Sequence, residues 1–284
     1  MKGLIFSIEE FAVFDGNGIR VNVFFKGCPL RCKWCHNPEG FEHKITVMRN
    51  HNVCVQCGEC DRVCKNKDTG CVLCGKCMIN CPRSALRKSG RWYESEELAK
   101  KLLRYKPIVE MSGGGLTFSG GEVLMQADFL CEVLKATASM HRIIETSGYG
   151  CDEAFKRVLE NVDFVYLDLK VMDAEKHKFY TGVDNAKILQ NAKILMQSGV
   201  PFKIRIPFID GVNTDEANIR ATCEFVKDAP NLQGIEILPY NEMAGAKYRL
   251  VGMEYKGDFK KPTKGVIEAA CKIIKEYGIY CYVQ

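Results

Sequence analysis

The sequence predicts an α/β protein built on a parallel sheet of six β/α units, with a small cysteine-bearing insert in the first long connection. Three observations lead there. Strand-like apolar runs alternate with amphipathic helix-like runs along nearly the whole chain. Glycine-rich and charged signatures follow those strand-like runs, at the end where parallel sheets assemble their sites. The connection after the first run extends from Cys28 to about Tyr93, longer than a simple loop inside a compact domain. Six units fit either an incomplete barrel or an open doubly wound sheet, and periodicity does not separate the two.

Taken in chain order, the opening MKGLIFSIEEFAVFDG carries a short apolar patch broken by Glu9 and Glu10, which is no secretory signal. No later run is long and apolar enough to span a bilayer, so a cytoplasmic protein without membrane contact is expected. The 284 residues, 46% of them hydrophobic, can bury one main core with a satellite. Candidate strands are Val21–Gly27, Gly115–Gly120, Arg142–Ser147, Phe164–Lys170, Phe202–Phe208 and Gly234–Tyr240, with a short final one at Ile279–Val283. Candidate helices lie near 95–105, 126–139, 152–160, 186–198, 215–228 and 264–277. The last is the clearest, because Val266, Ala269, Ala270, Ile273, Ile274 and Tyr277 recur at helical spacing behind a Thr263 cap. Asp152 and Thr214 are expected to cap two others.

Sixteen cysteines in a chain of this size point to metal or redox chemistry. Eleven crowd between Cys28 and Cys81, while Cys131, Cys151, Cys223, Cys271 and Cys281 stand singly and read as small hydrophobes. Cys28, Cys32 and Cys35 sit in GCPLRCKWCHNPE directly behind a buried-looking strand. Three thiolates can hold three corners of a cubane and leave the fourth iron open to a ligand. The competing reading is zinc, for which His36 offers the only adjacent fourth ligand.

Cys54, Cys57, Cys60 and Cys64, then Cys71, Cys74, Cys77 and Cys81 with Pro82, repeat a two-two-three spacing. This is the bacterial ferredoxin pattern, in which the fourth cysteine of each run ligates the other cluster. On that scheme Cys81 joins Cys54, Cys57 and Cys60, and Cys64 joins Cys71, Cys74 and Cys77. A zinc ribbon is the alternative. The insert is placed at 50–88, between 1–49 and 89–284. The formal charge of +5 counts every cysteine as neutral. Three oxidised clusters would add roughly −5, so the basic balance points to no nucleic-acid partner.

The three-then-two spacing, with Trp34 just before the third cysteine, resembles the radical S-adenosylmethionine (SAM) superfamily, and the chain is most similar to the glycyl radical enzyme activating enzymes. The resemblance covers nearly the whole chain. It implies a partial (β/α)6 TIM-type barrel, SAM, one catalytic 4Fe-4S cluster on Cys28, Cys32 and Cys35, and two auxiliary clusters in the insert. It also implies a glycyl radical enzyme as protein substrate and a flavodoxin or ferredoxin-type electron donor, in an anaerobic cytoplasm.

Matching positions carry expected roles. Gly120, Gly121 and Glu122 in TFSGGE resemble the motif that meets the SAM amine, the two glycines admitting close backbone approach. Glu145 and Asp168 match acids that hold a monovalent cation near the SAM carboxylate, and Lys170 faces SAM. Arg205 in FKIRIPF matches an arginine that contacts SAM, a natural carboxylate clamp. Trp34, His36 and Asn241 complete the expected cofactor site, Asn241 standing where the family more often has histidine. Asn17 and Val123 replace usual prolines, and Ala244 a usual glycine, as in a divergent member. Two other functions fit the motifs: a radical SAM enzyme with a small-molecule substrate, and a non-catalytic iron-sulfur or zinc protein.

Overall fold

The computed structural model describes residues 1–66 and 69–284. The chain opens with β1 (Lys2–Ala12) and β2 (Arg20–Phe25), then β3 (Thr46–Arg49), α1 (Glu59–Val63), α2 (Lys76–Ile79), β4 (Leu86–Ser89) and β5 (Arg91–Glu94). Next come α3 (Ser95–Leu103), α4 (Lys106–Met111), β6 (Gly115–Gly120), α5 (Ala127–Ala136), β7 (His141–Thr146), α6 (Asp152–Leu159) and β8 (Phe164–Asp168). The remainder is α7 (Ala174–Thr181), α8 (Ala186–Gln197), β9 (Phe202–Phe208), α9 (Glu216–Val226), β10 (Leu232–Pro239), α10 (Lys264–Glu276) and β11 (Cys281–Val283).

Nine strands form one sheet in the order β11-β10-β9-β8-β7-β6-β2-β1-β5. From β2 through β6 to β11 all neighbours are parallel, and β6 to β11 follow one another in chain order. A doubly wound sheet reverses its order at a switch point; here the parallel strands are added on one side only, and the other side holds the antiparallel β1 and β5. The sheet also curls. Flat strands about 4.8 Å apart would put β11 roughly 29 Å from β2, yet Gln284 Nε2, just past β11, donates 3.0 Å to the Phe14 carbonyl between β1 and β2. Both features are consistent with a partial barrel.

Strand alternation separates the two faces. Phe118, Ile144, Val165, Leu167, Ile204, Ile206, Ile235 and Ile237 are buried in the main core with the helices. Their alternates Ser119, Glu145, Tyr166, Asp168, Arg205 and Glu236 form a polar inner face, with Asp168 paired to Arg205 and Arg205 to Glu236 across the ladder. Charged residues inside apolar-looking strands thus share one enclosure.

Several local expectations are corrected. The N-terminal segment is an edge-side strand, antiparallel to β2, and β5 pairs with it in turn. The helix expected near 95–105 is α3, and a further short helix, α4, follows it with Pro107 in its first turn, where no backbone donor is needed. Asp152 does not cap α6; Cys151 holds the cap position and the Asp152 carboxylate accepts from Gln190. Asp215, not Thr214, caps α9, accepting from the Asn218 amide at 2.9 Å. The Thr263 hydroxyl does cap α10, at 3.4 Å from the Val266 amide. α7 has only a weak helical apolar stripe, so periodicity does not signal it in the sequence. The antiparallel pair β3 and β4, matched from Thr46 with Ser89 to Arg49 with Leu86, ties together the two ends of the cysteine-rich segment.

Candidate functional site: a thiol-lined cavity at the strand ends

The loop after β2 is held by backbone bonds to its own later turn and to the distant α7. Gly27 and Cys28 amides donate to Gly40 and Phe41 carbonyls at 2.8 and 3.0 Å, and Arg31 and Lys33 amides to Thr181 and Tyr180 at 2.7 and 3.0 Å. The Asn37 amide lies 3.4 Å from Cys35 Sγ. Trp34 is buried against Tyr180 and Phe259, with ring centroids 5.9 and 6.0 Å away. The missed helix α7 therefore serves as the anchor of the cysteine loop.

Cys28, Cys32 and Cys35 line a cavity of about 310 Å³ together with Trp34, His36, Gly120, Gly121, Glu145, Asp168, Lys170 and Asn241. Chain segments far apart in sequence converge there because they follow consecutive parallel strands. Burial pushes each of the three thiols up to about 12, so their thiolates need a compensating positive centre. Among the described residues, no three or more His, Cys, Asp or Glu side chains are placed to hold one metal ion. His36 packs edge-on against Tyr240, and burial, reinforced by Lys247, holds its imidazole below the usual value.

On the opposite wall Lys170 Nζ lies 2.7 Å from Asp168 Oδ2. Burial alone would lower the lysine, but the Asp168 carboxylate outweighs it and holds the ammonium above its ordinary value. Asp168 Oδ1 is buried and has no hydrogen-bond partner among the described residues. Glu145 accepts from Ser119 Oγ and from Arg205, both at 2.5 Å. Burial pushes Glu145 up, yet the Arg205 charge holds it below the usual carboxylate range.

Two expected residues stand behind this wall. Arg205 is 1% exposed, bonded to Glu145 and to Glu236 at 2.6 Å, 3.7 Å from Asp15, and stacked 3.7 Å over Tyr166. Glu122 is likewise buried: Thr146 Oγ1 at 2.5 Å, Ser147 Oγ at 2.5 Å, and the Ser147 and Leu124 amides at 2.8 and 3.0 Å donate to it. In this arrangement Glu122 fastens the loop after β7 to the start of the β6 loop. The glycine pair answers first to the backbone: a Cβ on Gly120 would lie 2.4 Å from the Phe25 nitrogen, and one on Gly121 2.4 Å from the Gly27 oxygen. Asn241 reaches the cavity while its Oδ1 accepts from the Met243 amide at 3.0 Å. Ser119, Thr146, Ser147, Asn37, Phe41 and Tyr240 also line the cavity. Of these, Asn37, Ser119, Thr146, Ser147 and Tyr240 stand beside or next but one to expected residues in the sequence, whereas Phe41 carries no signal of its own.

The insert holds two further hollows. One is lined by Cys54, Cys57, Cys60 and Cys81, the other by Cys64, Cys71, Cys74 and Cys77. In the first, Arg49 Nη2 lies 3.4 Å from Cys60 Sγ and the Ala85 amide 3.3 Å from Cys81 Sγ. The two loops repeat each other: Gln56 and Leu73 have φ of 55° and 57°, and Gly58 and Gly75 φ of 75° and 82°. Left-handed backbone at a non-glycine residue costs about 1–2 kcal/mol. The same conformation recurs at equivalent places in the two loops.

Comparison with known proteins agrees with this geometry. The Radical SAM superfamily model matches residues 22–223. The chain is 39% identical to the choline trimethylamine-lyase activating enzyme of Oleidesulfovibrio alaskensis, over 89% of this chain and 88% of that protein. It is 36% identical to the trans-4-hydroxy-L-proline dehydratase activating enzyme of Clostridioides difficile, over 94% of each. A solved domain of a pyruvate-formate lyase-activating enzyme from Bacteroides vulgatus superposes with a TM-score of 0.53 at 31% identity, covering 61% of this chain and 99% of that domain. No helix among the described residues is long and apolar enough to cross a membrane. With thiols, carboxylates and glycine turns gathered at the ends of consecutive parallel strands, and relatives matching along almost its whole length, the chain belongs to the radical SAM superfamily and, within it, to the glycyl radical enzyme activating enzymes.

Proposed function

We propose that Cys28, Cys32 and Cys35 each ligate one iron of a 4Fe-4S cluster, and that SAM occupies the rest of the cavity on the open iron. The observation that carries this reading is the single cavity shared by three thiols, the Asp168–Lys170 pair and an orphaned carboxylate oxygen. When bound, the cluster and SAM supply one-electron chemistry that releases methionine and a 5′-deoxyadenosyl radical able to take hydrogen from a glycine. The chain's own residues bind, orient and exclude. The thiols fix the cluster, Trp34 and Tyr240 shield it, and Lys170 offers a cation to the SAM carboxylate. Asp168 Oδ1, with Glu145 nearby on the same wall, suits a monovalent cation beside that carboxylate.

Arg205 and Glu122 act from behind, Arg205 by fixing Glu145 and Glu122 by fixing Ser147. The ferredoxin-like insert carries two auxiliary 4Fe-4S clusters with crossed ligation, supported by the two four-cysteine hollows. The partner is a glycyl radical enzyme; relatives named for a choline lyase and a hydroxyproline dehydratase favour a lyase or dehydratase of that class. A flavodoxin or ferredoxin donates electrons in an anaerobic cytoplasm.

The test is anaerobic incubation with SAM, dithionite and a co-encoded glycyl radical enzyme. A glycyl EPR doublet, with stoichiometric 5′-deoxyadenosine, is expected. SAM cleavage with no doublet would redirect the reading to a small-molecule substrate, and retained cleavage in Cys32→Ala would overturn the site.

A further inference from the structure

Two cysteines that read as isolated in the sequence meet in the fold. Cys271, on α10, and Cys281, the first residue of β11, have their sulfurs 2.8 Å apart, and both are half-buried. Neither lies near the cavity or the insert. Cys271 faces an open groove of about 790 Å³ between α10 and β11, whose wall includes Lys261, Lys264, Lys272 and Lys275. Its single acid, Glu268, lies 3.6 Å from Lys264. The groove is therefore cationic next to Cys271, whereas Cys281 is not part of its wall.

We propose that Cys271 and Cys281 are a redox-active dithiol that closes to a disulfide by exchange with a small anionic disulfide, oxidised glutathione being the simplest of that class. The lysines hold the anion, and the Cys271 thiolate attacks one of its sulfurs, expelling one thiolate and leaving a mixed disulfide on Cys271. Cys281 then loses its proton and displaces the second thiol. Two protein thiols are oxidised and one disulfide is reduced to two thiols, so electrons balance. Burial, with the Cys271 contact added, pushes the Cys281 thiol up, which suits a resolving role over first attack.

The bond would tie α10 to the terminal strand. β11 pairs with β10 over only three residues. Just beyond it, the Gln284 amide reaches the Ile237 carbonyl at 3.2 Å and the side chain reaches Phe14. A strand so short has little to hold it, and a covalent link to the covering helix latches it.

Tryptic mapping of the anaerobically purified holoprotein tests this. After treatment with oxidised glutathione, peptides 265–272 and 276–284 should appear joined, lighter than their sum by two hydrogens and separable by dithiothreitol, at least tenfold above any other cysteine pair. Cys281→Ser should instead carry a stable glutathione adduct on peptide 265–272. Cys151, exposed and single, serves as the control, forming an adduct but no link. Hydrogen exchange at residues 281–284 should be slower in the oxidised protein. Adducts on Cys271 without the joined peptide, or no reaction at either cysteine, would refute the dithiol, and a link without slowed exchange would refute the latch.

Discussion

The Lys170 ammonium lies 2.7 Å from Asp168 Oδ2, on the wall of the cavity that also holds three thiols. Asp168 ends β8 and Lys170 follows two residues later, so both turn inward while Val165, Leu167 and Leu169 pack into the main core. The pair sets an expectation for substitution. Asp168→Asn strands a buried ammonium, so a stability loss of about 3–5 kcal/mol is expected, with weaker SAM binding besides. Thermal unfolding and SAM titration of the reconstituted protein check both. An unchanged melting temperature would mean that the pair is solvated in solution.

Arg205 is bonded to two carboxylates and stacked on Tyr166, leaving its guanidinium occupied. Lysine cannot reproduce the planar fork. Arg205→Lys is therefore expected to lower stability by about 2–4 kcal/mol whether or not SAM is present, because Glu145 and Glu236 lose a shared partner. Melting curves with and without SAM decide the matter. A loss confined to the SAM-bound form would make Arg205 a direct clamp.

Crossed ligation in the insert predicts which cysteines travel together. Cys81→Ala should perturb the same EPR signal as Cys60→Ala, and Cys64→Ala the same signal as Cys77→Ala, each variant losing about four irons. Iron analysis with EPR of the reduced protein measures this. Pairing of Cys64 with Cys60 in one signal would show uncrossed ligation.

Lys26 supplies a pH dependence. Fully buried, with its ammonium 2.5 Å from the Glu39 carbonyl and 3.2 Å from Thr46 Oγ1, it is lowered by burial from 10.5 to about 8. Between those values the unfolded chain binds more protons at this site than the folded chain, so its contribution to stability rises with pH. Below about 8 both states are charged and the full burial cost stands. Lys26→Met should be more stable than the parent near pH 7, by about 1–3 kcal/mol, and the gap should narrow as pH climbs toward 10.5. Unfolding midpoints of both proteins at several pH values measure the gap, and a gap that widened with pH would contradict the assignment.

Local pattern in the sequence determined a good deal of this protein. Gly115–Gly120 and Phe202–Phe208 fall where alternation places strands, and the cysteine spacings by themselves name the thiols that line each hollow. Such features depend on residues a few positions apart, and neighbours along a chain are never in doubt. Tertiary structure alone decided what those residues face. The consecutive, curled strand order brought Glu145 to Arg205 across 60 positions, turned Glu122 toward Ser147, and laid the N-terminal segment against β2. It also set Cys271 beside Cys281. Each outcome depends on which strand lies beside which, a long-range pairing that a period of two or 3.6 residues cannot encode.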